Sequence, residues 1–119
     1  MTDLTIGQAQ RMTAPAPFAL LTSADKEGKT NIMAVSWWTY LSNHPVKIGA
    51  CLSNKGYSGG NIREGGEFAI CVVDEQLKDS ALQCGRCSGR STDKAAELGI
   101  ELAEAKMISP KVVAASKVV

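Results

Sequence analysis

Apolar residues cluster into short runs that predict a series of strands along most of the chain. Residues 18–23 (FALLTS), 46–52 (VKIGACL) and 67–73 (EFAICVV) are such runs, and residues 31–41 (NIMAVSWWTYL) are rich in β-branched and aromatic side chains, which favour strands. A turn signature, DKEG at residues 25–28, separates the first run from residues 31–41. These two strands are therefore predicted to form a hairpin.

Two short helices are predicted in the second half of the chain. Asp74 is placed to cap the first of them, and Gly85 ends it. Ser91 or Thr92 is placed to cap the second, which Gly99 closes. The apolar stripe of the first helix consists of Leu77, Ala81 and Leu82.

The order of these elements predicts the fold class. Residues 100–107 alternate apolar and polar side chains like a half-buried strand. Consecutive strands with short helices inserted late are typical of a mainly β antiparallel barrel or an α+β fold, and not of an alternating parallel sheet. The sequence has neither GxGxxG nor GxxxxGK[ST], so dinucleotide and ATP sites of those kinds are not expected. The length of 119 residues fits one domain, residues 1–119.

Charge and hydropathy exclude several classes of partner. Thirteen Lys and Arg against twelve Asp and Glu leave a net charge of +1, which disfavours nucleic-acid binding. The longest apolar run is six residues, 68–73, whereas a membrane helix needs about 20. The amino terminus, MTDLTIGQAQ, lacks the basic and apolar segments of a secretory signal. We expect a cytoplasmic protein with no membrane partner and with reduced cysteines.

The aromatic residues concentrate in the predicted strand 31–41, which holds Trp37, Trp38 and Tyr40. Period-two geometry puts Asn31, Met33, Val35, Trp37 and Thr39 on one face and Ile32, Ala34, Ser36, Trp38 and Tyr40 on the other. Asn31 and Trp37 would lie about 20 Å apart at roughly 3.3 Å per residue, so one face of the strand could line a long ligand. The alternative is that adjacent tryptophans face two cores or a subunit contact.

A glycine-rich loop, residues 53–61 (SNKGYSGGN), is a candidate anion site. Its three glycines let backbone amides approach an anion closely. Lys55, Ser58 and Arg63 could supplement those amides at a phosphate. The alternative is an ordinary glycine-rich surface turn.

The sequence CGRC at residues 84–87 offers a dithiol, but its position argues against catalysis. Cys84 falls at the predicted carboxyl end of a helix, where the partial negative charge disfavours thiolate. A zinc site would need two more ligands from Cys51, Cys71 or His44, none of which has paired ligand spacing. No metal site and no catalytic acid, base or nucleophile is therefore predicted.

The polar segment SGRSTDK at residues 88–94 presents hydroxyls, amides, an acid and two bases next to a predicted helix. This composition is typical of a site for an anion or a polar ring. The alternative is that Ser91 or Thr92 only caps the helix while Asp93 favours its dipole.

Taken in order, four segments resemble the flavin reductase-like family with the FMN-binding split-barrel fold, and especially its flavoredoxin branch. They are APAPFALLTSADKEGKTN, NIMAVSWWTYLSNHP, NKGYSGGNIREGGEFAICV and CGRCSGRSTDKAAELGI. The last contains the CG, SGR and DK pattern of the family. Family members usually continue into further barrel strands, so the resemblance implies a split barrel that lacks its usual C-terminal strands.

The resemblance also implies the site. FMN would lie at a homodimer interface, with the loop around Ser58 holding the phosphate and Lys94 close to the ring, where it could stabilise negative charge on the reduced flavin. The cofactor-binding residues implied in this way are Asn31, Ala34, Val35, Ser36, Trp37, Ser53, Lys55, Tyr57, Ser58, Ser88, Gly89 and Lys94.

The function that the resemblance implies is an oxidoreductase of the flavin reductase type. It would pass hydride from NAD(P)H to flavin and electrons to an acceptor, which could be a redox protein. Two alternatives stay open: a flavoredoxin-like electron carrier without NAD(P)H turnover of its own, and a non-catalytic scaffold that has lost the cofactor.

Overall fold

The computed structural model describes residues 5–12 and 17–119 and is built mainly from short antiparallel strands. The elements in chain order are α1 (Ile6–Met12), β1 (Ala19–Ala24), β2 (Thr30–Val35), β3 (Trp38–Asn43), β4 (Val46–Ala50), α2 (Tyr57–Gly65), β5 (Ala69–Val72), a 3-10 turn (Glu75–Leu77), α3 (Lys78–Cys84), α4 (Lys94–Glu97), β6 (Leu102–Ala103) and β7 (Val112–Val113). None of the described helices combines the length and apolar character needed to cross a membrane.

The central sheet has the strand order β2-β1-β5, with both pairs antiparallel. The predicted hairpin of β1 and β2 is confirmed, with Leu20 opposite Ala34. Asp25 shapes its turn, because one carboxylate oxygen accepts the backbone N–H groups of Glu27 and Lys29 at 3.0 and 2.9 Å. Gly28 follows with φ of 82°, a conformation that favours glycine.

Both faces of this sheet are covered by apolar side chains, as period-two alternation requires. One face packs against α3 and the C-terminal strands in a cluster formed by Leu20, Ile32, Ala69, Cys71, Ala81, Cys84, Ile100 and Val113. The other face buries Ala19, Leu21, Val35 and Ile70. Since β1 is buried on both sides, it forms the centre of the core.

The predicted single strand over residues 31–41 is wrong, because the chain breaks at Ser36 and Trp37. Val35 pairs with Ala19, the first residue of β1, so within the described residues the ladder between β1 and β2 ends at this pair. The chain then pairs β3 with β4 in a separate two-stranded sheet. Consequently Trp37 does not continue the face that Asn31 occupies on β2.

Asp74 and Gly85 bound the first predicted helical region, and both predictions are confirmed. An Asp74 carboxylate oxygen accepts the N–H of Gln76 at 3.1 Å, at the start of the 3-10 turn that leads into α3. Gly85 is the residue at which α3 ends. The sequence did not predict that a 3-10 turn precedes the α-helix.

The second predicted helix is capped by a different residue. Asp93, and not Ser91 or Thr92, accepts the N–H of Ala96 at 3.2 Å and caps α4. Its carboxylate is a stronger acceptor than a hydroxyl and lies on the favourable end of the helix dipole. Gly99 follows the helix with φ of 63°.

Two other boundaries differ from the predictions. The predicted loop over residues 53–61 ends early, because α2 already begins at Tyr57 and runs to Gly65. The predicted strand over residues 100–107 shrinks to Leu102–Ala103, which pairs with Val112–Val113. A strand needs a partner to persist, and β7 offers only two residues.

Candidate functional site

A cleft of about 450 Å³ opens between β2, the amino end of α2 and the turn that links α3 to α4. Its volume lies in the range of sites for small ligands. The predicted site residues that line it are Asn31, Ala34, Tyr57, Ser58, Ser88, Gly89 and Lys94. Segments that lie far apart in the sequence thus meet at one place.

Asn31 and Ser58 join two walls of the cleft. The Asn31 side-chain amide donates to the Ser58 hydroxyl oxygen at 2.9 Å, and both residues are buried. Asn31 lies on β2 and Ser58 in the first turn of α2. The Ser58 oxygen accepts this bond, and its own hydroxyl donates to no acceptor within residues 5–12 and 17–119, so it can donate to a ligand.

Gly89 packs directly against this pair. A Cβ atom at position 89 would collide with the Asn31 amide and would lie 2.9 Å from a ring carbon of Tyr57. The glycine is therefore required by close approach of the backbone. It fixes residues 88–90 against β2 and α2 on one side of the cleft.

Lys94 brings a buried positive charge to the cleft. The residue is 6% exposed, and its ammonium donates to the Cys84 carbonyl at 2.8 Å. In the described ranges 5–12 and 17–119, no carboxylate lies within salt-bridge distance of Lys94, and the neighbouring Asp93 instead pairs with Lys29 at 3.2 Å. A buried ammonium with unused donors favours an anionic or electron-rich ligand.

Tyr57 links the cleft to the β1–β2 turn. Its hydroxyl donates to Asp25 at 3.2 Å. Loss of solvent around the ring raises the pKa of the Tyr57 phenol, and the Asp25 carboxylate raises it further. Tyr57 therefore acts as a neutral donor at physiological pH. The guanidinium of Arg90 lies 6.0 Å from the centre of its ring.

Two arginines hold the segment that precedes α2. Arg63 donates to the Asn54 carbonyl at 3.0 Å, and Arg90 donates to the Lys55 carbonyl at 2.9 Å. The segment is thereby tied both to α2 and to the loop over residues 88–90. These contacts bring several cationic side chains close to the amino end of α2, where the helix dipole also favours anions.

Ser53 and Lys55 lie outside the cleft lining. The Ser53 hydroxyl accepts the Lys55 N–H at 3.3 Å, and the Ser53 carbonyl accepts the Gly56 N–H at 3.1 Å. A Cβ atom at Gly59 would lie 2.9 Å from the same carbonyl. In this structure Ser53 therefore shapes the turn before α2.

The remaining predicted residues line a second depression of about 240 Å³. Val35, Ser36 and Trp37 form it together with Met33, Ala34 and Cys51. Because Met33 and Ala34 also line the main cleft, the two depressions adjoin along β2. Trp37 is 63% exposed. Ten of the twelve predicted residues thus line one or both of these neighbouring depressions, whereas Ser53 and Lys55 line neither.

The turn after α3 is part of the lining, although the sequence did not predict it. Cys84, Gly85, Arg86 and Cys87 all line the main cleft. A signal was available, because these residues directly precede the predicted site residues Ser88 and Gly89. The CGRC segment is therefore part of the cleft wall as well as a pair of cysteines.

The cysteines are free thiols in the described part of the chain. Burial raises the pKa of the Cys84 thiol, although the nearby Lys94 ammonium acts in the opposite direction. This agrees with the prediction that Cys84 is a poor thiolate. Within the described residues, no group of three or more His, Cys, Asp and Glu side chains could hold a metal ion.

Comparison with known proteins identifies relatives of this architecture. The model of the flavin reductase-like domain matches residues 11–118. The flavoredoxin of Desulfovibrio vulgaris (Miyazaki F) is 26% identical, with a TM-score of 0.85 over 96% of this chain and 62% of the flavoredoxin. A search of curated protein sequences gives no match.

Two other solved structures share the fold. A split-barrel-domain protein of Shewanella frigidimarina is 19% identical, with a TM-score of 0.81 over 97% of this chain and 60% of that protein. An FMN-binding protein of Thermus thermophilus is 20% identical, also with a TM-score of 0.81, over 98% of this chain and 61% of that protein. The chain thus spans about three fifths of the length of these three proteins.

These likenesses confirm the predicted mainly β, antiparallel split-barrel fold with short helices, and the similarity to the flavoredoxin branch. The family match covers nearly the whole described chain. The chain therefore belongs to the flavin reductase-like domain family.

Proposed function

We propose that this chain binds FMN in the cleft and is an oxidoreductase of the flavin reductase type. In this function hydride passes from NAD(P)H to flavin, and electrons pass on to an acceptor such as a redox protein. Membership of the flavin reductase-like family supports an oxidoreductase. The FMN-binding relative of the same fold supports the choice of cofactor.

The observation that carries the proposal is the buried, carboxylate-free ammonium of Lys94 in the cleft wall. FMN is anionic at its phosphate, and its reduced ring also bears negative charge. A buried cation that has no acidic partner is costly unless a ligand compensates it. The Ser58 hydroxyl and the Arg86 side chain, which also line the cleft, add donors that suit the same ligand.

The residues of this chain would bind and orient the cofactor. Bound FMN would supply the hydride and electron transfer chemistry. Asn31 would orient the Ser58 hydroxyl, and Lys94 would hold a positive charge close to the ring. Ser36 and Trp37, in the adjoining depression along β2, extend the surface available to a long ligand.

We also propose that the chain works as a homodimer with the cofactor at the interface. The supporting observation is the apolar surface of the β3–β4 hairpin and of Trp37, which directly precedes it. Trp37, Tyr40, Leu41 and Val46 are each more than half exposed. A partner subunit on this side would cover them and also close the open end of the depression at Trp37.

A second candidate is a flavoredoxin-like electron carrier that binds FMN but does not itself oxidise NAD(P)H. The similarity to the Desulfovibrio flavoredoxin favours it. The two candidates share the cleft and the cofactor. They differ only in whether a nicotinamide donor can reach the bound flavin.

A flavin titration tests the shared part. FMN is added to the purified chain while its fluorescence is followed, and the molar mass is measured by light scattering in the same samples. We expect saturable quenching and the mass of a dimer. A chain that takes up no FMN would overturn both candidates and favour the non-catalytic scaffold.

A donor assay separates the two candidates. NADH or NADPH is mixed with the FMN-loaded chain, and absorbance of the reduced nicotinamide is recorded with and without an electron acceptor. Oxidation above the rate with free FMN alone supports the reductase. Reduction by dithionite but not by either nicotinamide supports the carrier.

A further inference from the structure

Two of the four cysteines lie together in the wall of the cleft. Cys84 and Cys87 both line it, whereas Cys51 is exposed in the neighbouring depression and Cys71 is buried in β5. Neither Cys84 nor Cys87 has a part in the proposed binding of FMN. Their shared position therefore needs its own explanation.

The turn after α3 brings the two side chains close together. Cys84 is the last residue of the helix, and the helical winding continues because Gly85 donates to the Leu82 carbonyl and Arg86 to the Gln83 carbonyl. The Cys87 sulfur points back to the same turn, 3.5 Å from the Gln83 carbonyl oxygen. Residues three apart in such a winding are neighbours, about 5–6 Å between Cβ atoms.

We propose that Cys84 and Cys87 are a redox-active thiol pair, which a low-molecular-weight disulfide compound converts into an intrachain disulfide in the cleft wall. A disulfide needs Cβ atoms about 3.5–4.5 Å apart, so closure requires a small movement of the turn. Gly85 and Arg86 are exposed, so the linking residues are not locked in the core.

The reaction takes place in two exchange steps. The Cys87 thiolate attacks one sulfur of the small disulfide, which forms a mixed disulfide and releases one thiol. Cys84 then attacks the Cys87 sulfur, which forms the intrachain bond and releases the second thiol. The protein dithiol is oxidised by two electrons, the small disulfide is reduced to two thiols, and the two protons end on those thiols.

The different environments of the two thiols set this order. Cys87 is half-buried, so an oxidant in the cleft can reach it, while Cys84 is 1% exposed. Burial raises the pKa of Cys84, and the neighbouring Cys87 raises it further. Capping of Cys87 removes the repulsion between the two sulfurs that raises the pKa of Cys84, whereas the Lys94 ammonium, which donates to the Cys84 carbonyl, still lowers that pKa.

Tryptic digestion offers a direct test, because trypsin cleaves between the two cysteines. The reduced protein is incubated with oxidised glutathione, free thiols are blocked with iodoacetamide, and the sample is digested without reductant. Peptides 79–86 (DSALQCGR) and 87–90 (CSGR) should stay covalently linked and separate after reduction. Glutathione on Cys87 together with an alkylated Cys84 would overturn the proposal.

Variants separate the two steps. Cys84→Ser should keep glutathione on peptide 87–90, because the second exchange is blocked. Cys87→Ser should leave Cys84 alkylated and without glutathione, because Cys84 is 1% exposed and the first exchange needs the half-buried Cys87. Glutathione on Cys84 in this variant would contradict the order of the two steps, and this result can be read even if Cys84→Ser does not fold. Cys51→Ser is the matched control and should behave as wild type; loss of the linkage in this control would contradict the assignment.

A denatured sample shows whether the fold favours closure. At one fixed total glutathione concentration, the ratio of oxidised to reduced glutathione that gives half closure is measured in buffer and in denaturing urea. We expect the native protein to need a ratio about tenfold lower, because the folded turn holds the thiols together. Equal half-closure ratios in buffer and in urea would contradict the proposal that the fold holds the two thiols together. No flavin takes part, so this result and the outcome of the FMN titration are independent.

Discussion

The central sheet and the β3–β4 hairpin differ in how deeply their side chains are buried. In the sheet, β1 is buried on both faces, and the polar Asn31 at its margin is paired with Ser58. In the hairpin, Tyr40, Leu41 and Val46 are 59%, 66% and 69% exposed. Both regions are antiparallel and rich in apolar residues, so strand composition alone does not produce the difference.

The difference in burial between the two regions arises because other elements cover the central sheet but not the hairpin tip. Helices α2 and α3 and the strand β7 pack on the central sheet. Among the described residues, the hairpin packs its base against the second core cluster through Trp38, Ile48 and Ala50. The sheet therefore carries most of the stability and presents the cleft. The hairpin tip adds little to the stability of one chain and offers surface for a partner.

The largest expected effect comes from a matched pair of leucines. Leu20→Ala removes a side chain that is 0% exposed in the core, and we expect a loss of about 2–5 kcal/mol in the free energy of unfolding. Leu41→Ala at the 66% exposed position should change it by less than about 0.5 kcal/mol. Urea unfolding followed by circular dichroism measures both, and similar losses would contradict the division between the two regions.

Two glycines test how tightly the cleft wall is packed. Gly89→Ala places a Cβ against Asn31 and Tyr57, and we expect a loss of about 1–3 kcal/mol from this overpacking. Gly60→Ala is the control, because its new Cβ meets only the flexible end of Arg63 at 4.0 Å within α2. This change should be neutral or stabilising by up to about 1 kcal/mol. A Gly89→Ala protein as stable as wild type would show that the wall is loose.

Much of the fold follows from local sequence signals. Asp25 and Gly28 specify the β1–β2 turn, and Asp74 and Gly85 specify the limits of the α3 region. The break at Ser36 and Trp37 could not be predicted in this way. The break arises where β1 ends and β2 loses its partner. It depends on strand pairing in the folded chain, which composition does not encode.

The candidate site was predictable only in part. Polar and glycine-rich segments indicated Ser58, Gly89 and Lys94, and the structure brings these three into one cleft. The division of the predicted residues between two depressions was not predictable, because it depends on the same break at Trp37. The Asn31–Ser58 hydrogen bond spans 27 positions and has no local signature.

A lysine substitution in the cleft and one in the hairpin should differ in their effect on FMN binding. Lys94→Met keeps the length of the side chain and removes the buried charge, so we expect FMN to bind about tenfold more weakly, equivalent to about 1.4 kcal/mol. Lys47→Met on β4 of the hairpin is the matched control and should bind FMN as wild type does. Fluorescence titration measures both, and equal affinities for the two variants would remove Lys94 from the proposed site.

The smallest expected effect concerns the turns of the two hairpins. The backbone N–H of Lys29 lowers the pKa of the Asp25 carboxyl from its ordinary 3.8, aided by Glu27 and Tyr57. A carboxyl with a lowered folded pKa stabilises the protein above the unfolded pKa and loses that contribution as pH falls through the folded value. The β3–β4 turn, Asn43 to Val46, contains no carboxylate, so acid should weaken only the first turn. The gap in unfolding free energy between wild type and Asp25→Asn should therefore be constant above pH 5 or so and narrow as pH falls below about 4.

Urea midpoints across this pH range measure the gap. The other titrating groups are common to both proteins, so their contributions cancel in the gap. A gap that does not change with pH would mean that the Asp25 charge contributes nothing to the turn.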